Sequence, residues 1–546
     1  MHYLKKLEDK EAFLNPLLII IYCLLLYIYS QYDTFSHLYR LNDDFPQHFI
    51  WLYEYWPHFF QDNDFYLQAS KTIQPWGVYW LNRFLTIVIS PISLSKYFPF
   101  FTLLMTSFFT FFLVRKRFSW ILAFVAMLML SNIPLERMIG FNARAYATPL
   151  LLGFLYYWND ENKKGIQLLL IASTLFYPII FLVECGIVGL AYLKLFLKKK
   201  LFLHYKEHLG VIITIIACGI LLLIKSYQLE QSEYIGAFFS KTELLSMPEF
   251  MVGGRVDFVK NMNPQMPLDF PWHYYLHSPF PKYALPIVGL FLSILLVNLI
   301  KGSKHKRFDE SLLLLLLSGT IIFYLAQWFL PHFFIPQRYL YYTYLPFLFL
   351  LVIRMFSFIK PTRYKLLVNM AILVLLSYSV FHVKSPKDVG ITNYEKHKVL
   401  YQNISKFQQP LLFAGPAGIC DQIPSFCRQS VLFSVESAHA IYFKKYYHYV
   451  KPKVDDFITA YTSTDIKDLV FFVKKYDIDY LIVDNSFLSS AKLWFYEPYR
   501  QILKEKMLNI DPKALALNQL PDELLEEGDW RYQLLNCEKL LLFYGQ

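Results

Sequence analysis

Gly77-Val78-Tyr79-Trp80-Leu81-Asn82-Arg83-Phe84-Leu85-Thr86-Ile87-Val88-Ile89-Ser90-Pro91-Ile92-Ser93-Leu94 is the stretch on which the fold turns. It is apolar enough to cross a bilayer, yet Asn82-Arg83 stands inside the run. The short loops elsewhere carry basic clusters: Arg115-Lys116-Arg117, Lys163-Lys164, Lys198-Lys199-Lys200, and Lys301 through Arg307. Lys and Arg in short loops mark the cytoplasmic side of a multi-pass chain. If 77–94 crossed, Arg115-Lys116-Arg117 and every later basic loop would fall outside. If it lies in the interface as an amphipathic helix, all of them fall inside, and that is the arrangement adopted here.

Composition agrees with a membrane chain. Of the 546 residues, 55% are apolar, 19% aromatic and 17% charged, against about a quarter charged in a soluble domain. These proportions exclude disorder, collagen, coiled coil, a small disulfide scaffold and a purely cytosolic enzyme. A span needs about 20 mostly apolar residues, and about eleven runs qualify: 15–31, 96–114, 118–134, 142–158, 165–181, 182–197, 209–225, 283–300, 311–330, 339–356 and 365–382. The first run follows Lys5, Lys6 and Lys10 but has Tyr27, Tyr29 and Tyr32 where a small-residue cleavage site would stand, so it reads as an uncleaved helix. The expected topology is multi-pass in the plasma (inner) membrane, with the N-terminus cytoplasmic and the tail outside. The net charge of +11 sits in the basic loops, which explains it without nucleic acid.

The chain divides into a polytopic part, 1–384, and an extracytoplasmic α/β domain, 385–546. The outer face then carries the loops 32–95 and 226–282 and the Pro331 to Gln337 turn leading to Arg338. In the tail, Leu411 to Ala414, Val431 to Val435 and Tyr480 to Val483 read as strands, and Asp465 to Tyr476 has helical spacing; alternation of this kind predicts a small, partly parallel sheet. Cys420 and Cys427 lie in this outside tail, where a disulfide is open to them. No repeat relates the two halves, which disfavours an inverted-repeat transporter.

The first outer loop holds Tyr39-Arg40-Leu41-Asn42-Asp43-Asp44-Phe45-Pro46-Gln47-His48. Carboxylates beside a membrane are costly unless hydrated, paired or bound to a cation. Adjacent side chains diverge, so two aspartates divide their labour: one toward a reacting group, the other toward a metal or a structural donor. The competing reading is a helix cap, with Pro46 in the first turn. Arg144, Arg255 and Arg338 are all on the expected outer side, where the positive-inside rule gives no reason for an arginine. Arg144 and Arg338 otherwise snorkel at helix ends, and Arg255 is otherwise a solvated loop charge.

This order of parts resembles the GT-C superfamily of polytopic glycosyltransferases, and more closely its bacterial members that use polyprenyl-phosphate-linked sugars. The likeness rests on the N-terminal helix followed by the acidic outer loop, Gly140-Phe141-Asn142-Ala143-Arg144 before an apolar helix with Pro149, Gly253-Gly254-Arg255, Gln337-Arg338-Tyr339, and a tail with Asp455-Asp456 to Tyr461 and a helix and strand ending at Asp484. It implies a mainly α, GT-C-like bundle and an inverting transferase moving a hexosyl or pentosyl group from a polyprenyl-phosphate-sugar donor to a glycan, lipid or protein acceptor. Asp44, or less favoured Asp43, becomes the catalytic base. Arg338, Arg144, Arg255, Gln47 and His48 become substrate-binding residues. No cofactor is certain; a divalent ion, Mg or Mn, would take Asp43 and Asp44. The alternative is a non-catalytic membrane protein of polysaccharide or lipid-carrier transport or assembly.

Other motifs carry less. His273 and His277 share a helix face but lack an acidic third ligand. Glu184 inside an apolar helix requires a partner or a wet cavity. Gly415-Pro416-Ala417-Gly418 lacks the Lys-Ser/Thr of a P-loop. The topology is checked by a periplasm-active reporter joined after Gln546: activity is expected, and a cytoplasmic signal removes the outer-face assignment.

Overall fold

The structure, a computed structural model, describes residues 2–132, 134–198, 205–258, 262–267, 305–357, 389–490, 495–508 and 510–545. The expected spans 283–300 and 365–382, the 384/385 boundary, and His273 and His277 lie outside these residues. Among them, six helices are long and apolar enough to cross a membrane: Asn15–Ser36, Pro91–Arg115, Pro178–Leu197, His208–Gln231, Lys306–Trp328 and Gln337–Phe356.

Three expected spans are shorter than expected. Trp120–Asn132, Ala147–Asn159 and Lys163–Phe176 have 13, 13 and 14 residues. At 1.5 Å per residue that is about 20 Å, less than the roughly 30 Å hydrocarbon layer. Local chemistry sets these ends. Residues 142–146 do not join the helix expected over 142–158, because Gly140 and Phe141 take positive φ (91° and 57°) and Ala143–Tyr146 form a 3-10 turn. The expected 165–181 helix stops at Tyr177, because Pro178 disfavours helical backbone in the residue before it while opening the next helix itself.

The 77–94 stretch is not one helix. Trp76–Leu85 and Pro91–Tyr97 are separate, and the second leads directly into the span that ends at Arg115. Ser90 caps the second helix through Ser93 N, with Pro91 at its first position. The expected interfacial helix is therefore limited to 76–85, on which Trp80 and Phe84 are exposed.

Helix directions separate two ends of the bundle. Arg117 donates to Asn159 O (2.5 Å), Arg307 to Trp158 O (2.9 Å) and Lys194 to Glu310 (2.7 Å), while Lys116 pairs with Asp160 and Arg307 with Glu161. These basic turns form one end. At the far ends of helices Ala147–Asn159 and Pro178–Leu197 stand Arg144, in the turn before the first, and Pro178, and the far end of Lys306–Trp328 leads to Arg338 at the start of Gln337–Phe356.

Residues after 389 form a five-stranded mixed sheet. With β1 Arg40–Asn42, β2 Ile391–Asn393, β3 Leu412–Ala414, β4 Ser430–Val431, β5 Tyr480–Asp484, β6 Leu525–Glu526 and β7 Tyr532–Asn536, its order is β4-β3-β5-β7-β6. The β3–β4 and β3–β5 pairs are parallel, and the β5–β7 and β6–β7 pairs antiparallel. The strand expected over 431–435 stops at Val431, where Ser434 and Ser437 close a turn on each other's backbone. Asp465 caps helix Ile466–Tyr476. Cys420 and Cys427 are separate buried thiols. Antiparallel pairing of β1 with β2 ties the first loop to this later segment.

Arg354 and Asp309 are 2% and 0% exposed and joined by two hydrogen bonds, 2.5 and 3.0 Å. The acid lies in a helix first turn and the base in a helix last turn, as both dipoles favour. Asp309→Ala strands a buried guanidinium and is expected to cost about 3–5 kcal/mol, read as a lower melting temperature in detergent. Asp309→Leu with Arg354→Met should recover most of it.

Candidate functional site

Asp44 occupies the N-cap position of helix Phe45–His48, with Pro46 in its first turn, yet its side chain makes no capping hydrogen bond. The carboxylate turns instead to Arg144 Nη2 at 2.5 Å and accepts from Asn142 Nδ2 at 3.2 Å and Gln47 Nε2 at 3.4 Å. Backbone geometry enforces this. Asn42 is fixed by its place in β1 and by donating to Gly390 O (3.0 Å). A Cβ at Gly140 would lie 2.6 Å from Asn42 Oδ1, so glycine is required for the 140–144 turn to approach. That turn then presents Asn142 and Arg144 side by side.

Asp43 diverges from its neighbour: its residue surface is open to solvent, its carboxyl stands against the surrounding chain, and it does not line the cleft described next. Desolvation by the surrounding chain, then the Asp44 charge, push its carboxyl up to about 6. Burial opposes the Asp44 charge as well, but Arg144 and then His48, Arg338 and Arg255 hold Asp44 below the usual carboxylate range. The two acids are therefore shifted in opposite directions, and Asp43 takes up a proton at a higher pH than Asp44.

Asp44 opens into a cleft of about 530 Å³, also lined by Gln47, His48, Asn142, Arg144, Arg255 and Arg338. Six of the seven residues singled out from the sequence thus share one cavity. Arg255 follows Gly253-Gly254, where a Cβ at Gly254 would meet Glu249 O at 2.2 Å. Its Nη2 donates to Glu436 (3.0 Å) and its Nε to Val435 O (3.0 Å). Arg338 stands in the first turn of helix Gln337–Phe356. Its Nη1 donates to Tyr177 Oη at 3.3 Å and its guanidinium lies 4.5 Å from the centre of the Phe334 ring. A cation at a helix N-terminus opposes the dipole, and no carboxylate partner for Arg338 stands among the described residues. Two buried atoms beside Asp44, Arg144 Nε and Asn142 Oδ1, have no hydrogen-bond partner among the described residues either. Buried polar atoms left in this state cost about 1–3 kcal/mol each.

Glu436, Tyr177, Tyr442 and Asp257 also reach this region and were not found from the sequence. Glu436 sits in an unremarkable Ser434-Val435-Glu436-Ser437 run, and only chain folding brings it to Arg255. Glu184, by contrast, does not line the cleft, although Pro178, Ile179 and Leu182 of the same helix do, and it accepts from Ser173 Oγ at 2.8 Å.

The residues do not fit a divalent ion. Asp44 is engaged by Arg144 and Glu436 by Arg255, and three guanidiniums surround them. Asp43 is turned away, and no group of three His, Cys, Asp or Glu side chains suited to a metal exists among the described residues. The arrangement has the chemistry of an anion site in which three guanidiniums stand among fewer paired carboxylates.

No family model matches the chain, and no curated protein matches it. Its fold is similar to that of Archaeoglobus fulgidus oligosaccharyltransferase in the apo form, at 11% identity, covering 87% of this chain and 70% of that one, with a TM-score of 0.48. The complex of that protein with Zn and sulfate gives 12%, 86%, 68% and 0.49. AglB from the same organism, with an inhibitory peptide and a dolichol-phosphate, gives 11%, 86%, 69% and 0.48. At these values the likeness bears on neither the activity nor the ligands of this chain.

Burial holds the His48 imidazole down to about 4, with Asp44 pulling it up and Arg144 and Arg338 pushing it further down. Unfolded, it titrates near 6.5. Its folded value is the lower one, so the folded state binds fewer protons and stability falls as pH drops from about 6.5 toward 4. At pH 5 this amounts to roughly 2 kcal/mol at most. Asp43, raised in the folded state, works in the opposite direction. His48→Gln should therefore shrink the loss of melting temperature between pH 7 and pH 5; an unchanged loss contradicts the assignment.

Proposed function

We propose that the chain is a membrane glycosyltransferase that moves a sugar from a polyprenyl-phosphate-linked donor to a hydroxyl-bearing acceptor at the outer face of the membrane. The observation that carries this reading is Arg338: a fixed cation at a helix N-terminus, without a carboxylate partner among the described residues, in the same cleft as an ionised Asp44. A helix N-terminus plus a guanidinium is an anion-binding combination. The basic turns at the opposite end of the helices support an outer-face position for the cleft. The degenerate motifs shared with GT-C enzymes point to the same chemistry.

In this mechanism the donor phosphate lies against Arg338, with Arg144 Nε and Arg255 as further donors. The acceptor hydroxyl lies against Asp44. As the acceptor oxygen forms its bond to the anomeric carbon, its proton passes to Asp44. The carbon–oxygen bond to phosphate breaks, its electron pair leaves on the lipid phosphate, and the arginines stabilise that charge. One displacement of this kind inverts the anomeric centre. A depressed carboxylate is a weak base, but Arg144 keeps Asp44 ionised at neutral pH, so it is ready to accept. Asp43, facing away, supports the turn instead. The donor tail would run along the groove of Ile73, Trp76, Leu221 and Leu222, apolar but for Thr174 and Lys225, which shares Ile73, Pro75 and Pro178 with the cleft.

Asp44→Asn is expected to match a deletion strain, accumulating a donor lipid and losing one surface glycan. Asp43→Asn is expected to keep at least a tenth of wild-type transfer, being remote from the reacting atoms. Mass spectrometry of polyprenyl-linked sugars and surface glycans, at equal membrane protein levels, checks both. Wild-type profiles for Asp44→Asn alongside an altered deletion strain would favour the transport or assembly reading.

A further inference from the structure

Three chain segments distant in sequence meet behind the cleft, and one side chain joins them. Glu436 follows the β4 segment. Its Oε2 accepts from Arg255 Nη2 of the second long loop at 3.0 Å, and also from Gln47 Nε2 of the first loop. Gln47 in turn donates to Asp44 Oδ1 at 3.4 Å. Arg255 is gripped a second time, by Val435 O on its Nε at 3.0 Å. Both ends of the latch are anchored. Glu436 N donates to Asp421 Oδ1 at 2.7 Å, and the Gln47 carbonyl accepts from Ser70 Oγ at 2.6 Å. The Arg255 and Glu436 side chains are 21% and 19% exposed, so neither is a freely solvated surface charge.

Resting on the reading given under Proposed function, we infer that Glu436 is a positioning residue that holds Arg255 ready for the donor phosphate and Gln47 against Asp44. The physical need is specific. Arg255 follows two glycines and has a long, rotatable side chain, and fixing it only when ligand arrives would cost conformational entropy. Two acceptors in a fixed geometry remove that cost before binding. Glu436 also supplies negative charge to a cavity with three guanidiniums, without occupying Arg338. Through this latch the segment after 389 completes the site.

The test uses the full chain in detergent, with undecaprenyl phosphate as the probe and its affinity as the readout. Glu436→Ala and Arg255→Ala are each expected to weaken binding about tenfold, the worth of one charge-assisted contact. The double variant, which removes both charges, is expected to lose no more than either single one, since both act through the same guanidinium. Glu436→Gln keeps an acceptor for Arg255 and should recover part of the loss, which a general packing defect would not allow. Multiplicative losses in the double variant, about a hundredfold, overturn the inference. So does tighter binding by Glu436→Ala, which would make Glu436 a competitor of the phosphate. Arg338→Ala separates the two levels. If it weakens binding while Glu436→Ala does not, only the positioning role falls. If neither Arg338→Ala nor any other variant changes affinity, the lipid-phosphate reading falls and takes this inference with it.

Discussion

The ion pair of Asp44 with Arg144 joins the first long loop to the 140–144 turn at the mouth of the bundle, and the surrounding structure is arranged to let it form. A carboxylate and a guanidinium at the edge of a membrane domain each require a partner. Meeting that requirement draws Asn142 and Gln47 onto the same carboxylate and forces Gly140 into a conformation other residues adopt poorly. Phe141, also at positive φ, is an unfavourable backbone state retained at the site. The cleft thereby acquires two compensated arginines, Arg144 on Asp44 and Arg255 on Glu436, and Arg338 beside them without a carboxylate of its own among the described residues.

Helix punctuation delivers the remaining groups. Pro178 stops one helix and starts the next, which leaves Tyr177 at the junction with its hydroxyl against Arg338. The turn from Pro331 to Pro336 ends where helix Gln337–Phe356 begins, so Arg338 and the helix dipole present positive charge to the same space. The groove of Ile73, Trp76 and Leu222 shares Ile73, Pro75 and Pro178 with the polar cleft and also carries Lys225.

The adjacent aspartates show how one turn creates two chemical environments. Asp44 faces arginines and is ionised; Asp43, one residue earlier, faces outward and is held protonated more easily. Their divergence follows from the backbone, since neighbouring side chains cannot share a target. The cap expected of such a pair is present in position but not in hydrogen bonding, because Arg144 offers the carboxylate a charged partner in place of a backbone amide.

Much of this was legible in the sequence. Long apolar runs, basic loops and prolines fix where helices lie and stop, since those effects are local and periodic. Arginines that stand apart from the basic clusters between apolar runs single out Arg144, Arg255 and Arg338 in the same way. Other features were not legible. Residues 91–94 joined a span because a capping serine and Pro91 started a new helix, and Val431 ended its strand early because two serines closed a turn. Glu436 had no signal at all: its Ser-Val-Glu-Ser context is ordinary, and its contacts lie 181 and 389 positions away in the chain. The sequence by itself determined a helical membrane chain with misplaced arginines and an acidic pair. Only the tertiary structure decided which acid faces the cleft, which arginine keeps its charge available, and that the final segment closes the site, because pairing of charges depends on distances that no spacing along the chain encodes.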